Sequence, residues 1–296
     1  MHDHPSPFQV SLQPPRPLPP VLVSARANVL LFLAVTFGWS WSWLLLGGQG
    51  AAHAGEGPWL FIALLGPAVG GFTAVISEQG RRGAGLLLRR LAPLDLGWGM
   101  WLLALYAVVP LAVLMVLVAS PGHTRDAIGS ASLLFFLPLV AAFSLLPRPI
   151  GVEFGFRGVL LPLCLTRYPP LLAALWVGLL WTLWFAPLWR VGAGDAGMPS
   201  LSLFLTVHAV ALISMSIVLT LLYLRTGGSL GLSIMVHAAL NAAVLPFQAL
   251  ANRELLALPP VMPHALALAL TALALWLFFR WRDRRAAPLS PEASAH

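Results

Sequence analysis

The sequence has no lysine, one cysteine and few charges of either sign: 17 basic residues, all arginine, and 10 acidic residues, together 9% of 296 positions. A soluble domain carries about 25% charged residues, whereas 59% of this chain is hydrophobic. A soluble fold of this length has no interior large enough to hide that much apolar surface, so the excess must face lipid. The lone Cys164 excludes an intrachain disulfide and any zinc site within the chain that needs two thiolates. Flanked by Leu163 and Leu165, it reads as a small packed hydrophobe. HExxH and the Walker A pattern are also missing, which removes a zincin-type metal site and a phosphate loop. No cofactor is expected, and a bound metal is not anticipated. The net charge of +7 does not imply nucleic acid. The arginines lie at the ends of apolar runs, where membrane lipids with anionic headgroups are the natural partners.

What is present is a succession of apolar runs. A spanning helix needs roughly 20 mostly apolar residues, and eight candidates can be drawn, at about 28–48, 58–77, 98–120, 132–147, 169–189, 202–224, 229–248 and 261–281. The expected fold is all-α, a polytopic membrane helical bundle. A further apolar helical segment, 151–165, follows Pro147 and Pro149 and either continues the fourth span or re-enters separately. With both termini on the inner side, only Arg125, Arg190 and Arg253 fall in outer loops, which matches the positive-inside tendency. Trp59, Trp98, Trp101, Trp189 and Trp281 fall near span ends, where amphipathic rings prefer the interface. The stretch RRGAGLLLRRLA, 81–92, reads either as a short amphipathic helix on the inner surface or as a charged loop. Gly70, Gly71 and Pro67 suggest close helix packing or a kink. Residues 1–27, rich in proline, and 286–296 are expected to be disordered, flanking a transmembrane domain at 28–285. No secretory signal is evident, and the first apolar run, from Asn28, is expected to stay as an anchor.

Ionisable groups inside spans are costly and point to function. Nine of the ten acidic residues lie in tails or loops, and the tenth is Glu153, in the apolar stretch GVEFGFRGVLL. Arg157 lies four residues on, hence on the same helix face. The pair reads as a functional site or as an ion pair that orients a helix end. His237 and Asn241, in SIMVHAALN, share a face in the same way, and His237 lies roughly 12 Å from the inner end of its span at 1.5 Å per residue. They can donate hydrogen bonds to a developing oxyanion or join neighbouring helices. His208 has no polar partner in register and reads as structural. His53, His123 and His264 fall at loops or span edges.

Taken in order, these stretches resemble the motifs of the CPBP family, which contains type II CAAX prenyl endopeptidases and bacteriocin-processing proteins. GVEFGFRGVLLP is similar to a first motif of two glutamates, three other residues and an arginine. WTLWFAPLW is similar to a second, an aromatic residue with a histidine four positions on and a proline two beyond it. SIMVHAALN matches a third, His-x-x-x-Asn. The resemblance covers about 130–248 and implies proteolysis inside the membrane. It assigns water activation to the first glutamate and the second-motif histidine, and oxyanion stabilisation to His237 and Asn241, without a metal. Its implied substrates are prenylated tails or leader-bearing peptides. The register set by Gly155, Phe156, Arg157 and Gly158 puts Val152 at the first glutamate position and keeps Glu153 at the second. Trp181 and Pro187 frame the second motif and put Phe185 at the histidine position. Neither Val152 nor Phe185 can accept a proton.

The expectation is therefore a membrane protein of this family with impaired catalysis. It would hold a prenylated or membrane-inserted peptide or protein partner at Glu153, Arg157, His237 and Asn241. The alternatives are an active endopeptidase of altered mechanism and a small transporter or channel, the latter disfavoured by the lack of an internal repeat. A bacterial inner membrane with both termini cytoplasmic is the expected location.

Overall fold

The computed structural model describes residues 17–47, 58–91, 97–136, 147–188, 200–256 and 259–286, and these contain helices and turns but no strand. The first span is α1 (Arg26–Gly47). The second is α2 (Pro58–Leu64) followed by α3 (Gly66–Arg89), with Pro67 in the first turn of α3, where its missing N–H costs nothing. The third expected span is divided into α4 (Trp98–Tyr106) and α5 (Val109–Ala119). Pro110 can enter only a helix's first turn, so it breaks a run that hydropathy reads as continuous. After α6 (Thr124–Ala131) and a 3₁₀ turn at Ser132–Phe136, most of the fourth expected span lies outside the described residues.

The chain resumes in α7 (Pro147–Gly155), which passes through a π-helical turn at Phe156–Leu160 into α8 (Leu161–Leu165). Pro147 and Pro149 occupy the first turn of α7, as the proline asymmetry of helices favours. Segment 151–165 thus belongs to one helical run that starts at Pro147. Its relation to the fourth span falls outside the described residues. Then come α9 (Pro170–Phe185), α10 (Leu201–Arg225), α11 (Leu230–Ala242), α12 (Leu245–Ala251) and α13 (Val261–Ala286).

Five stretches are long and apolar enough to cross a membrane: Arg26–Leu46, Trp59–Arg89, Leu201–Arg225, Leu230–Ala251 and Val261–Asp283. Val109–Ala119 and Pro170–Phe185 are apolar but shorter. The all-α membrane bundle is as expected, while helix length alone does not establish eight spans. Large apolar side chains such as Leu46, Phe135 and Leu277 point outward, the orientation that a lipid solvent permits.

Two stretches outside the expected spans pack against the bundle. Within residues 1–27, the described part from residue 17 leads into α1 as a strap, with Leu18 packed against the core. Leu22 and Val23 are fully buried. Gln79 donates to the Leu22 carbonyl at 2.8 Å, and the Glu78 carboxylate accepts from the Ser24 amide and hydroxyl. Prolines suppress periodicity here but do not prevent an extended strap from burying two apolar side chains. The stretch 81–92 is a helix rather than a loop as far as Arg89. Gly80, at φ 62° and ψ −159°, allows α3 to turn where a side chain would be strained. Beyond the turn Leu87 is buried and Leu88 is exposed.

The helix carrying the first motif is held by backbone contact. A Cβ on Gly151 would lie 2.7 Å from the Leu64 carbonyl, and one on Gly155 would collide with the Pro67 carbonyl. Gly71 faces the Gly155 Cα from the other side, at 3.3 Å from an added Cβ. These small residues let α7 lie directly on α2 and α3, as Gly71 and Pro67 suggest. Arg90 ties the next layer. Its guanidinium donates to the carbonyls of Gly158, at 2.9 Å, and Pro20, while its own carbonyl accepts from the Leu230 amide at the start of α11. One residue thus joins the π turn, the N-terminal strap and the third-motif helix.

Candidate functional site

Glu153 and Arg157 lie one helical turn apart, both fully buried, with Arg157 Nη1 donating to Glu153 Oε1 at 3.1 Å. The same oxygen accepts from His237 Nδ1 at 2.7 Å, so the first and third motifs meet at one carboxylate atom. The second motif closes the group from α9. The Trp181 ring lies 4.6 Å from the Arg157 Cζ and 5.0 Å, edge to face, from the His237 ring. Phe156 stacks on Trp181 at 5.7 Å. A lone charge here would be prohibitively costly in lipid. The ion pair, the imidazole and the aromatic face share that cost. Satisfaction is incomplete, because Glu153 Oε2 and Arg157 Nε and Nη2 are buried without hydrogen-bond partners. A π turn is a local departure from α geometry often found at functional sites, and this one includes Arg157.

Beside this cluster is a cavity of about 550 Å³, within the usual range of small-ligand sites. Val152, Phe185, His237 and Asn241 all line it, as do Trp181 and His208. The four positions to which the motif register assigns chemistry therefore converge on one space, although they come from α7, α9 and α11. Glu153 is not on the wall. One residue along a helix is a rotation of about 100°, which turns Val152 to the cavity and Glu153 behind it. His237 bridges the two environments: its Nδ1 faces Glu153 and the residue itself lines the cavity. With Nδ1 donating to the carboxylate, Nε2 is left as an acceptor.

The other polar residues on the wall are Arg148, Gln248, His208 and His264. Among the described residues no aspartate or glutamate lines it. Two of these histidines carried no functional signal in the sequence. His264 is buried in the first turn of α13 and hydrogen-bonds through Nε2 to the Leu240 carbonyl at 2.9 Å. It is not a loop residue, because Pro260 and Pro263 start the helix just before it. His208 bonds through Nδ1 to the Phe204 carbonyl at 2.9 Å and stacks on the Phe204 ring at 3.9 Å. The four-residue spacing of Phe204 and His208 was the available clue. The Phe185 ring lies 6.5 Å from His208. Among the described residues no group of three or more His, Cys, Asp or Glu side chains is placed to hold a metal ion. His53 lies outside them, and His123 caps α6 at the surface, away from the cavity.

Comparison with known families finds a match over residues 131–243 to the family described as Type II CAAX prenyl endopeptidase Rce1-like. That range contains all three motifs, from Val152 to Asn241. No curated protein matches the chain. The motifs, their meeting at one cavity and the family match agree: this is an integral membrane protein that over residues 131–243 is similar to the Type II CAAX prenyl endopeptidase Rce1-like family.

Proposed function

We propose that the protein holds a membrane-inserted or prenylated peptide in the cavity between α7, α9, α10 and α11 without hydrolysing it. One observation supports this reading above the others. The two cavity positions to which the family resemblance assigns water activation carry Val152 and Phe185, while Glu153 is withdrawn behind the wall on Arg157 and His237. Amide hydrolysis needs a group that takes a proton from the attacking water, and neither an isopropyl nor a phenyl group can. What the wall keeps are hydrogen-bonding groups, His237, Asn241 and Gln248, among apolar side chains. That combination suits a peptide carbonyl presented from a lipid-soluble chain. The arginine distribution favours an orientation with both termini cytoplasmic.

A second reading is favoured by one contact, the 2.7 Å bond between Glu153 and His237. A buried carboxylate that holds Nδ1–H orients an imidazole so that Nε2 can act as a base. Here Glu153 would be a positioning residue and His237 the base, with Asn241 left to stabilise the oxyanion.

The deciding experiment is cleavage of prenylated and leader-bearing fluorogenic peptides by the protein in liposomes, beside the Val152→Glu, Phe185→His double variant. A silent native protein and a cleaving double variant are the expected result. Cleavage by the native protein that is lost in His237→Ala and falls steeply in Glu153→Gln would establish the second reading instead.

A further inference from the structure

On the opposite side of α10 from the cavity, a groove of about 460 Å³ runs between α10 and α13 beside the first turn of α9. Ser214, Ile217, Ala272, Leu273 and Trp276 form its walls, and Arg280 closes one end. The α13 residues that face it, from Ala269 through Ala272, Leu273 and Trp276 to Arg280, fall at the spacing of one helix face. From Val261 to Arg280 the helix advances about 29 Å at 1.5 Å per residue, close to the thickness of a bilayer's hydrocarbon core. Arg280 thus lies at the level of the headgroups. Trp281, half exposed beside it, fits the aromatic belt found at that depth. The groove extends from Arg280 to Ala269, roughly 16 Å along the axis, or about half the core. Its depth and length match one acyl chain of one leaflet.

The charged end selects the headgroup. The Arg280 Cζ lies 5.1 Å from the centroid of the Trp276 ring, and its Nε is buried with no hydrogen-bond partner. The nearby Asp283 carboxylate is already paired with Arg225 from α10. The surrounding charge is positive, with Arg282 and Arg285 on the same helix end, stacked on Phe279 and Trp281. A guanidinium with an unsatisfied donor, fixed at headgroup depth above an apolar slot, is complementary to a phosphate carrying an acyl chain.

We infer that this groove is a binding site for an anionic phospholipid, with the phosphate on Arg280 and one acyl chain along α13. The inference does not depend on what the cavity binds. It is tested by native mass spectrometry of the detergent-purified protein exchanged with phosphatidylglycerol or phosphatidylcholine of the same chains. Phosphatidylglycerol should survive delipidation on the native protein and phosphatidylcholine should not. Arg280→Gln should lower phosphatidylglycerol retention about fivefold, the factor that one basic residue near the surface supplies. Ala269→Phe, which fills the slot's far end with Arg280 intact, should lower it too. Arg285→Gln, the same change of charge off the groove, should not. Equal retention of the two lipids by the native protein, or equal loss in Arg280→Gln and Arg285→Gln, would overturn the site in favour of non-specific binding to a basic surface. Matching elution profiles and melting temperatures show that each variant is folded.

Discussion

Glu153 shows how far a single residue can be read. Its isolation among apolar neighbours and its four-residue spacing from Arg157 predict a buried pair, and both side chains are fully buried and bonded. The third member was not legible, because His237 lies 84 positions away and only the packing of α7 on α11 brings it to the same oxygen. The pairing has an energetic consequence. Arg157→Met alone leaves the Glu153 carboxyl buried without its cation, which should cost about 3–5 kcal/mol of stability. In Glu153→Leu, Arg157→Met both charges are gone and the loss should be smaller, the remainder being the lost acceptor for His237 Nδ1–H. Thermal unfolding in detergent distinguishes the two. Equal damage from single and double changes would mean that the pair does not act as a unit. His208 and His264 illustrate the opposite limit: their bonds go to backbone carbonyls, of Phe204 within α10 and of Leu240 on α11, so no polar side-chain partner in the sequence marks the cavity that tertiary packing puts beside them.

At the scale of elements, hydropathy located five stretches long enough to span, and two of these, Trp59–Arg89 and Leu230–Ala251, are each built from two helices. The break between α4 and α5 follows from Pro110, and the π turn at Phe156–Leu160 lies just before Pro162, which has no N–H to donate back into that turn. Glycine is where sequence and packing meet most directly. Gly155 and Gly38 look alike as helical glycines, yet an added Cβ meets the Pro67 backbone at the first and nothing within 4 Å at the second. Gly155→Ala should destabilise by about 1–3 kcal/mol through overpacking and displace the helix that carries Val152 and Glu153. Gly38→Ala should stabilise by about 0.5–1 kcal/mol, since it only reduces the freedom of the unfolded chain. Shifts of melting temperature of opposite sign are the check. Two losses would mean that Gly38 has a packing partner in the membrane, such as a second copy or a lipid.

For the whole molecule, the remaining question is which face meets which compartment, and two ion pairs outside the site bear on it. Arg253 and Asp126, 3.1 Å apart, hold the chain before α13 against α6. Arg225 and Asp283 hold the far ends of α10 and α13 together. Between the pairs α13 runs from Val261 to Asp283, about 33 Å of helix, so they mark opposite faces of the bundle. Arginines crowd the second face at Arg280, Arg282 and Arg285 and are sparse at the first, so under the proposed orientation, which the positive-inside tendency supports, the Arg225 end is cytoplasmic. The chain suits a direct test, because its one cysteine, Cys164, is buried and should be silent to a membrane-impermeant maleimide. His123→Cys and Arg285→Cys put single reactive thiols at exposed positions on the two faces. In intact cells His123→Cys should label and Arg285→Cys should not, and permeabilisation should expose Arg285→Cys. The reverse pattern would invert the bundle and leave the arginine-rich end outside, against the charge asymmetry. Labelling of both before permeabilisation would mean that the two faces are not separated by the bilayer, which would contradict the reading of α13 as a full span.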